Sequence, residues 1–189
     1  MHPYLVRIID TPEFQRLRYI RQMGSVYFVY PGASHNRFEH SIGVAHLAGE
    51  LVQALNRQYL LHEDPKLKAL LYGQTDESKP LITEDEGLCV QIAALCHDLG
   101  HGPFSHQFDD LFIPKVVEKL STELEKEIPD GEMKREKETK KNTLENWTHE
   151  EQSGSMLEML IGNISDTECR AFIDTHKDFI KELIDPRGE

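Results

Sequence analysis

Apolar residues recur at helical spacing along most of the chain, and polar stretches separate the runs. Thr11-Pro12 places a proline where a helix can begin, and Phe14, Leu17, Tyr19 and Ile20 follow, so residues 3–23 are predicted as helix. Ile42, Leu47, Leu51 and Val52 form an apolar stripe at helical spacing and predict a helix from about Asn36 to Tyr59, followed by a shorter one over Leu67–Leu71. Thr83 and Glu86 have the spacing of a capping box and open the helix that carries Val90 to Leu99. Ile113–Glu127 reads as an amphipathic helix. Thr148 and Glu151 repeat the capping signature ahead of Glu150–Ile161, and Asp166–Ile184 closes the pattern. Two stretches break the helical rhythm. Ser25–Tyr30, SVYFVY, is β-branched and aromatic and predicts a short extended segment before the Pro31-Gly32 turn. Residues 129–146 form a lysine/glutamate tract with few apolar anchors and read as solvated. The fold class expected is all-α.

Composition narrows the function classes. At 189 residues the chain is long enough for one well-packed domain, and no internal repeat is evident. A formal net charge of −12 argues against a general nucleic-acid surface, which requires clustered Lys and Arg. A local anion pocket remains compatible with it, because Arg16, Arg18, Arg21 and Arg37 all fall within the first forty residues. Three cysteines, Cys89, Cys96 and Cys169, have no metal-ligand spacing and fit buried thiols in a reducing compartment. With no bilayer-length apolar run and no leader pattern, the expectation is a soluble intracellular protein without a membrane partner.

The densest chemistry lies in CHDLGHGPFSH, Cys96 to His106. The adjacent His97 and Asp98 deliver an imidazole and a carboxylate together, which suits a divalent metal that activates water for attack on phosphate. If the segment is helical, His101 shares the face of His97. Gly102-Pro103 then ends or bends the helix and returns His106 toward the same point. His40, near the start of its helix, is either a further ligand or a core histidine satisfied by a carbonyl.

Four blocks, IIDTPEFQRLRYIRQMG (8–24), YPGASHNRFEHSIGVAHLAG (30–49), VQIAALCHDLGHGPFSHQFD (90–109) and WTHEEQSGSM (147–156), cover about a third of the chain. Together they resemble the SAM-and-HD-domain deoxynucleoside triphosphate triphosphohydrolase family of the HD-domain phosphohydrolases. The resemblance implies a helical HD fold that cleaves a dNTP, dGTP among them, to the deoxynucleoside and inorganic triphosphate. By motif match, His40, His97 and Asp98 are metal ligands for Fe, Mn or Zn, with Mg as an accompanying ion. Arg37 lies beside the phosphates, His101 and His106 hold phosphate oxygens, Asp109 orients a histidine, and His149 is the first choice of acid. Gln22 and Met23 match positions lining the deoxyribose; leucine is usual where Met23 stands, so sugar discrimination is expected to be looser. Asp10, Gln15 and Arg18 match a site that reads the guanine of an activating nucleotide, GTP or a dNTP. A homo-oligomer, dimer to tetramer, and a nuclear location follow from the same likeness, with the cytoplasm as the other location.

The likeness has limits. The expectation is that the sequence holds no SAM domain; the regions 62–86 and 115–146 look like polar surface insertions, and the family's fourth ligand, an aspartate far downstream, has no match in it. Asp166, Asp174, Asp178 and Asp185 stand in dissimilar contexts. The expectation is therefore a partial HD domain with weakened metal affinity. The alternative reading is a truncated, catalytically inactive module for nucleotide binding or subunit association.

Overall fold

The computed structural model describes residues 1–73, 80–125 and 131–186. Residues 74–79 of the first polar region, residues 126 and 127 of the helix expected over 113–127, and residues 129 and 130 of the lysine/glutamate tract lie outside them. The described residues form nine α-helices and no strand. A lone antiparallel bridge pairs Arg21 with Asn36. None of these helices is long and apolar enough to cross a membrane.

The amino-terminal helix expected over 3–23 is three short pieces. Helix α1 (Pro3–Ile9) ends at Asp10; Thr11 caps α2 (Pro12–Gln15), and a 3-10 turn follows over Arg16–Tyr19. Thr11 Oγ1 accepts from the Phe14 N–H, so the break comes from a cap that the sequence itself supplies. Ser25–Tyr30 is not extended. Residues Gly24–Phe28 make a 3-10 helix, because Ser25 is held by Gln107, whose amide accepts from Ser25 N and donates to Ser25 Oγ. Tertiary contact here overrides β propensity.

Helix α3 (Arg37–Leu61) opens on a capping box at Asn36 and Glu39. Its buried face is Phe38, Ser41, Ala45 and Gly49, whereas Leu47 and Leu51 of the apolar stripe are exposed. Small residues on the inner face let α5 (Glu84–Cys96) approach closely: a Cβ on Gly49 would stand 3.0 Å from the Gln91 side chain, and one on Gly87 3.1 Å from Val52. Helix α4 (Pro65–Tyr72), capped by Asp64, lies between them in sequence. The Thr83–Glu86 capping box opens α5 as expected.

Helix α5 is central, packed by α3 on one side and by α9 (Thr167–Ile184) on another, while α8 (His149–Asn163) packs on α9. Leu88, Cys89, Ile92, Leu95 and Cys96 of α5 join Leu157, Leu160, Cys169, Ile173 and Ile180 in one core. All three cysteines are buried free thiols, and burial pushes Cys96 up to about 12, so it stays an unreactive thiol.

Between α5 and α8 the chain leaves the core. A π-helical turn, Phe108–Phe112, runs into α6 (Ile113–Glu125), which packs against α7 (Glu132–Glu145). The tract read as solvated is thus largely helical, yet α7 has no buried residue. Lysine and glutamate are good helix formers, and pairs such as Lys141–Glu145 hold a solvated helix without a core.

Candidate functional site

Helix α5 delivers the site by ending early. It stops at Cys96, with His97 as its C-cap, so His97 and Asp98 lie in the turn after the helix rather than within it. His101 therefore does not share a helical face with His97; the turn Asp98–His101 brings it back against Asp98 instead. Gly102-Pro103 is followed by Phe104 and Ser105 at φ 65° and 54°, and this left-handed pair reverses the chain and presents His106. The strain is held by Ser105, fully buried, whose hydroxyl donates to the Arg21 carbonyl and accepts from Arg37 Nε.

Asp98 is the hub, 2% exposed. Its Oδ2 lies 2.6 Å from Arg37 Nη1, 3.3 Å from His40 Nε2 and 3.2 Å from His97 Nε2, and its Oδ1 lies 3.2 Å from His101 Nε2. Burial alone would raise the carboxyl, but contacts from His101 and His97 and the Arg37 charge overturn that and hold it far below the usual carboxylate range. Two histidines on this one carboxylate shift oppositely. Burial and neighbouring cations lower His40 despite Asp98. His97 is also penalised by burial, but its hydrogen bond to Asp98 and that carboxylate's charge leave it raised.

The donor set fits a divalent ion. One ligand atom each from His40, His97 and Asp98 lies within 4.8 Å of the others. His97 Nδ1 is 2.7 Å from the Ala94 carbonyl, and in the neutral ring a hydrogen donated there would leave the Nε2 lone pair free for an ion in place of the Asp98 hydrogen bond. The set of two imidazoles and one carboxylate is compatible with Fe, Mn or Zn.

Beside it stands a second group, His101, His106, Asp109 and His149, whose ligand atoms also lie within 4.8 Å of one another. His106 and Asp109 sit one turn apart at the entry to the π-helical turn, and His149 is the first residue of α8, after the Thr148 cap. Burial lowers the His101 pKa first, and Arg37 and His149 add to this against the pull of Asp98.

Arg37 is 4% exposed and locked on Asp98 and Ser105, while Glu39 caps α3 instead of pairing with it. Met23 is half-exposed and Gln22 hydrogen-bonds through its N–H to the His35 carbonyl; its buried Oε1 has no hydrogen-bond partner among the described residues. Gln15 accepts from Arg18 Nε at 2.6 Å and donates to the Ile9 carbonyl beside Asp10, and the Arg18 guanidinium lies 3.6 Å from the Phe38 ring centre.

Three positioning residues escape sequence reasoning. Ser153, fully buried, accepts from the Gly100 N–H at 2.8 Å, and its hydroxyl lies 2.7 Å from the His97 carbonyl and 2.8 Å from that of His149. Gly100 meets α8 so closely that a Cβ would stand 2.2 Å from the His149 carbonyl. Arg16 donates to the carbonyls of Leu99 and His101, tying the same turn to the amino-terminal segment. A serine after a WTHE-type block and the glycine of HDLG were the available signals; which backbone groups they meet was not visible.

The chain matches the HD domain family over residues 37–172. It is 48% identical over 163 residues to the deoxynucleoside triphosphate triphosphohydrolase SAMHD1 of Homo sapiens, covering 86% of this chain and 19% of that protein. The Danio rerio protein of the same name is 58% identical over 116 residues, covering 61% and 16%. A putative HD domain-containing protein, L394, of Acanthamoeba polyphaga mimivirus is 43% identical over 111 residues, covering 58% and 23%. The chain thus spans about a fifth of the length of the curated relatives it matches.

Proposed function

The chain belongs to the HD-domain family, and on that premise we propose that it serves metal-dependent hydrolysis of dNTPs, dGTP among them, to the deoxynucleoside and inorganic triphosphate. The observation that carries the reading is the meeting of His40, His97 and Asp98 around one carboxylate oxygen, with Arg37 beneath and the His101/His106/Asp109/His149 group alongside. The names of the relatives supply the substrate class.

His40, His97 and Asp98 would hold a divalent ion, which would supply a Lewis acid for the phosphate and lower the pKa of a water. Arg37 keeps Asp98 ionised and adds positive charge on the phosphate side. His101 and His106 take phosphate oxygens, Asp109 orients the imidazoles around it, and His149 gives a proton to the leaving oxygen. Met23, unbranched and flexible, makes a soft wall against a 2′-hydroxyl. Asp10, Gln15 and Arg18 form a guanine-nucleotide regulatory site that works in a dimer or tetramer, and the protein acts in the nucleus. The regions 62–86 and 115–146 are surface elaborations of the domain.

Incubation with each dNTP, separating inorganic triphosphate from pyrophosphate and monophosphate, tests the reading. Triphosphate from dGTP that disappears in His97→Ala supports it. Pyrophosphate or monophosphate as the product moves the protein to another HD chemistry. Sedimentation with and without GTP tests the regulatory site: an unchanged mass overturns it.

A further inference from the structure

Three imidazole nitrogens face a single oxygen of Asp109. His149 Nδ1 lies 3.1 Å from Oδ2, His101 Nδ1 3.6 Å and His106 Nδ1 3.7 Å. Both Asp109 oxygens are buried, and neither receives an aligned hydrogen bond among the described residues; the same holds for both ring nitrogens of His101, whose side chain is wholly buried. Two of the rings face a second carboxylate across their opposite edges. His149 Nε2 faces Glu150 Oε1 at 3.3 Å, and His101 Nε2 faces Asp98 Oδ1 at 3.2 Å. A carboxylate only accepts, and a neutral imidazole has one N–H for its two nitrogens, so neither ring can, when neutral, donate to both carboxylates that flank it. A buried carboxylate without aligned donors is costly. A cation among these groups satisfies Asp109 by coordination.

We propose that His106, Asp109 and His149 form a second site for a divalent transition-metal ion, distinct from the His40/His97/Asp98 centre. Ligand bonds of about 2.0–2.2 Å place neighbouring donors in a tetrahedron roughly 3.3–3.6 Å apart, and the 3.1 and 3.7 Å separations bracket that range. His101 is not a ligand. Its ring stacks on His149 at 4.0 Å with planes 15° apart, so one ion cannot lie in both ring planes, and His101 forms the floor. Glu150 behind His149 is the carboxylate partner that a metal-bound imidazole ordinarily has. Two imidazoles and one carboxylate favour Zn, Mn, Fe or Co over Mg or Ca and leave positions open for water. On the hydrolase reading, an ion here occupies a nitrogen of the proton-donating His149, so filling the site inhibits the reaction.

Equilibrium dialysis with Co2+ tests the assignment on the parent chain, His40→Ala, Asp109→Asn and His106→Ala, with circular dichroism checking each fold. Because His106 is exposed, its replacement leaves the fold intact. The expected result is two ions per parent chain, one in His40→Ala, one in Asp109→Asn, and a second ion weakened at least tenfold in His106→Ala. Parent-like isotherms in both Asp109→Asn and His106→Ala overturn the second site even if His40→Ala loses its ion. A parent-like isotherm in His40→Ala, with losses in the other two, leaves the second site standing and overturns the His40/His97/Asp98 centre instead.

Discussion

Helix α5 has seven buried residues in thirteen, and α7 has none in fourteen, so neighbouring parts of one chain are held by different forces. Around α5, position is set by close packing: a Cβ on Gly100 would collide with the α8 backbone, and one on Gly49 or Gly87 would press on the Gln91 or Val52 side chain. In the α6–α7 pair, position comes from an amphipathic face on α6 and ion pairs such as Lys137–Glu123. Solvated pairs contribute little and tolerate change, whereas a buried charge hub tolerates almost none. The proposed metal centre stands on the first kind of structure and the α6–α7 pair is the second kind. Its two ends nevertheless attach at the turn bearing Asp109 and at the cap preceding His149.

The sharpest way to break this contrast is Asp98→Asn. It leaves the Arg37 guanidinium buried without its counter-charge, and the expected loss is about 3–5 kcal/mol in urea denaturation, together with loss of metal binding. A loss below about 1 kcal/mol would mean that Asp98 is no hub. Gly100→Ala comes next. Its methyl group would meet the α8 backbone at 2.2–2.4 Å, and overpacking of this kind costs about 1–3 kcal/mol or more. Ser153→Ala leaves the Gly100 N–H without its acceptor and is expected to cost about 1–3 kcal/mol. Ser153→Thr, which retains the hydroxyl, should recover metal affinity better than the alanine variant, as read by metal titration.

Acid sharpens the same comparison more gently. The folded Asp98 carboxyl lies well below the ordinary aspartate range, so its stabilisation is complete above that range and is lost as pH falls further. The parent should therefore lose stability steeply below about pH 4, and Asp98→Asn should flatten that limb. A limb of equal slope in both would assign acid sensitivity elsewhere. At the small end, Lys137→Ala should cost less than about 1 kcal/mol and leave metal binding untouched.

What the sequence made legible follows the same division. The capping box at Thr83, the Thr148 cap and the all-helical class could be read directly, because caps are local chemistry. SVYFVY could not, since Gln107, far away in sequence, holds it in a 3-10 turn. His101 was placed near the site by helical periodicity, yet the helix ends at Cys96 and a left-handed pair at Phe104 and Ser105 does the turning. Nothing in Phe-Ser announces that conformation, which glycine ordinarily supplies. Motif spacing thus marked which residues gather and misjudged the backbone that gathers them. The lysine/glutamate tract shows the reverse: its lack of core was legible and its helicity was not, because propensity and ion pairs leave no apolar period.

The central claim is that the turn after α5 and the start of α3 together make a metal centre. Metal content of the purified chain, compared between the parent and His40→Ala after identical dialysis against a weak chelator, tests it most directly. Bound Fe, Mn or Zn is expected in the parent, with an affinity at least about tenfold weaker once one ligand is gone. Equal retention in both would contradict it.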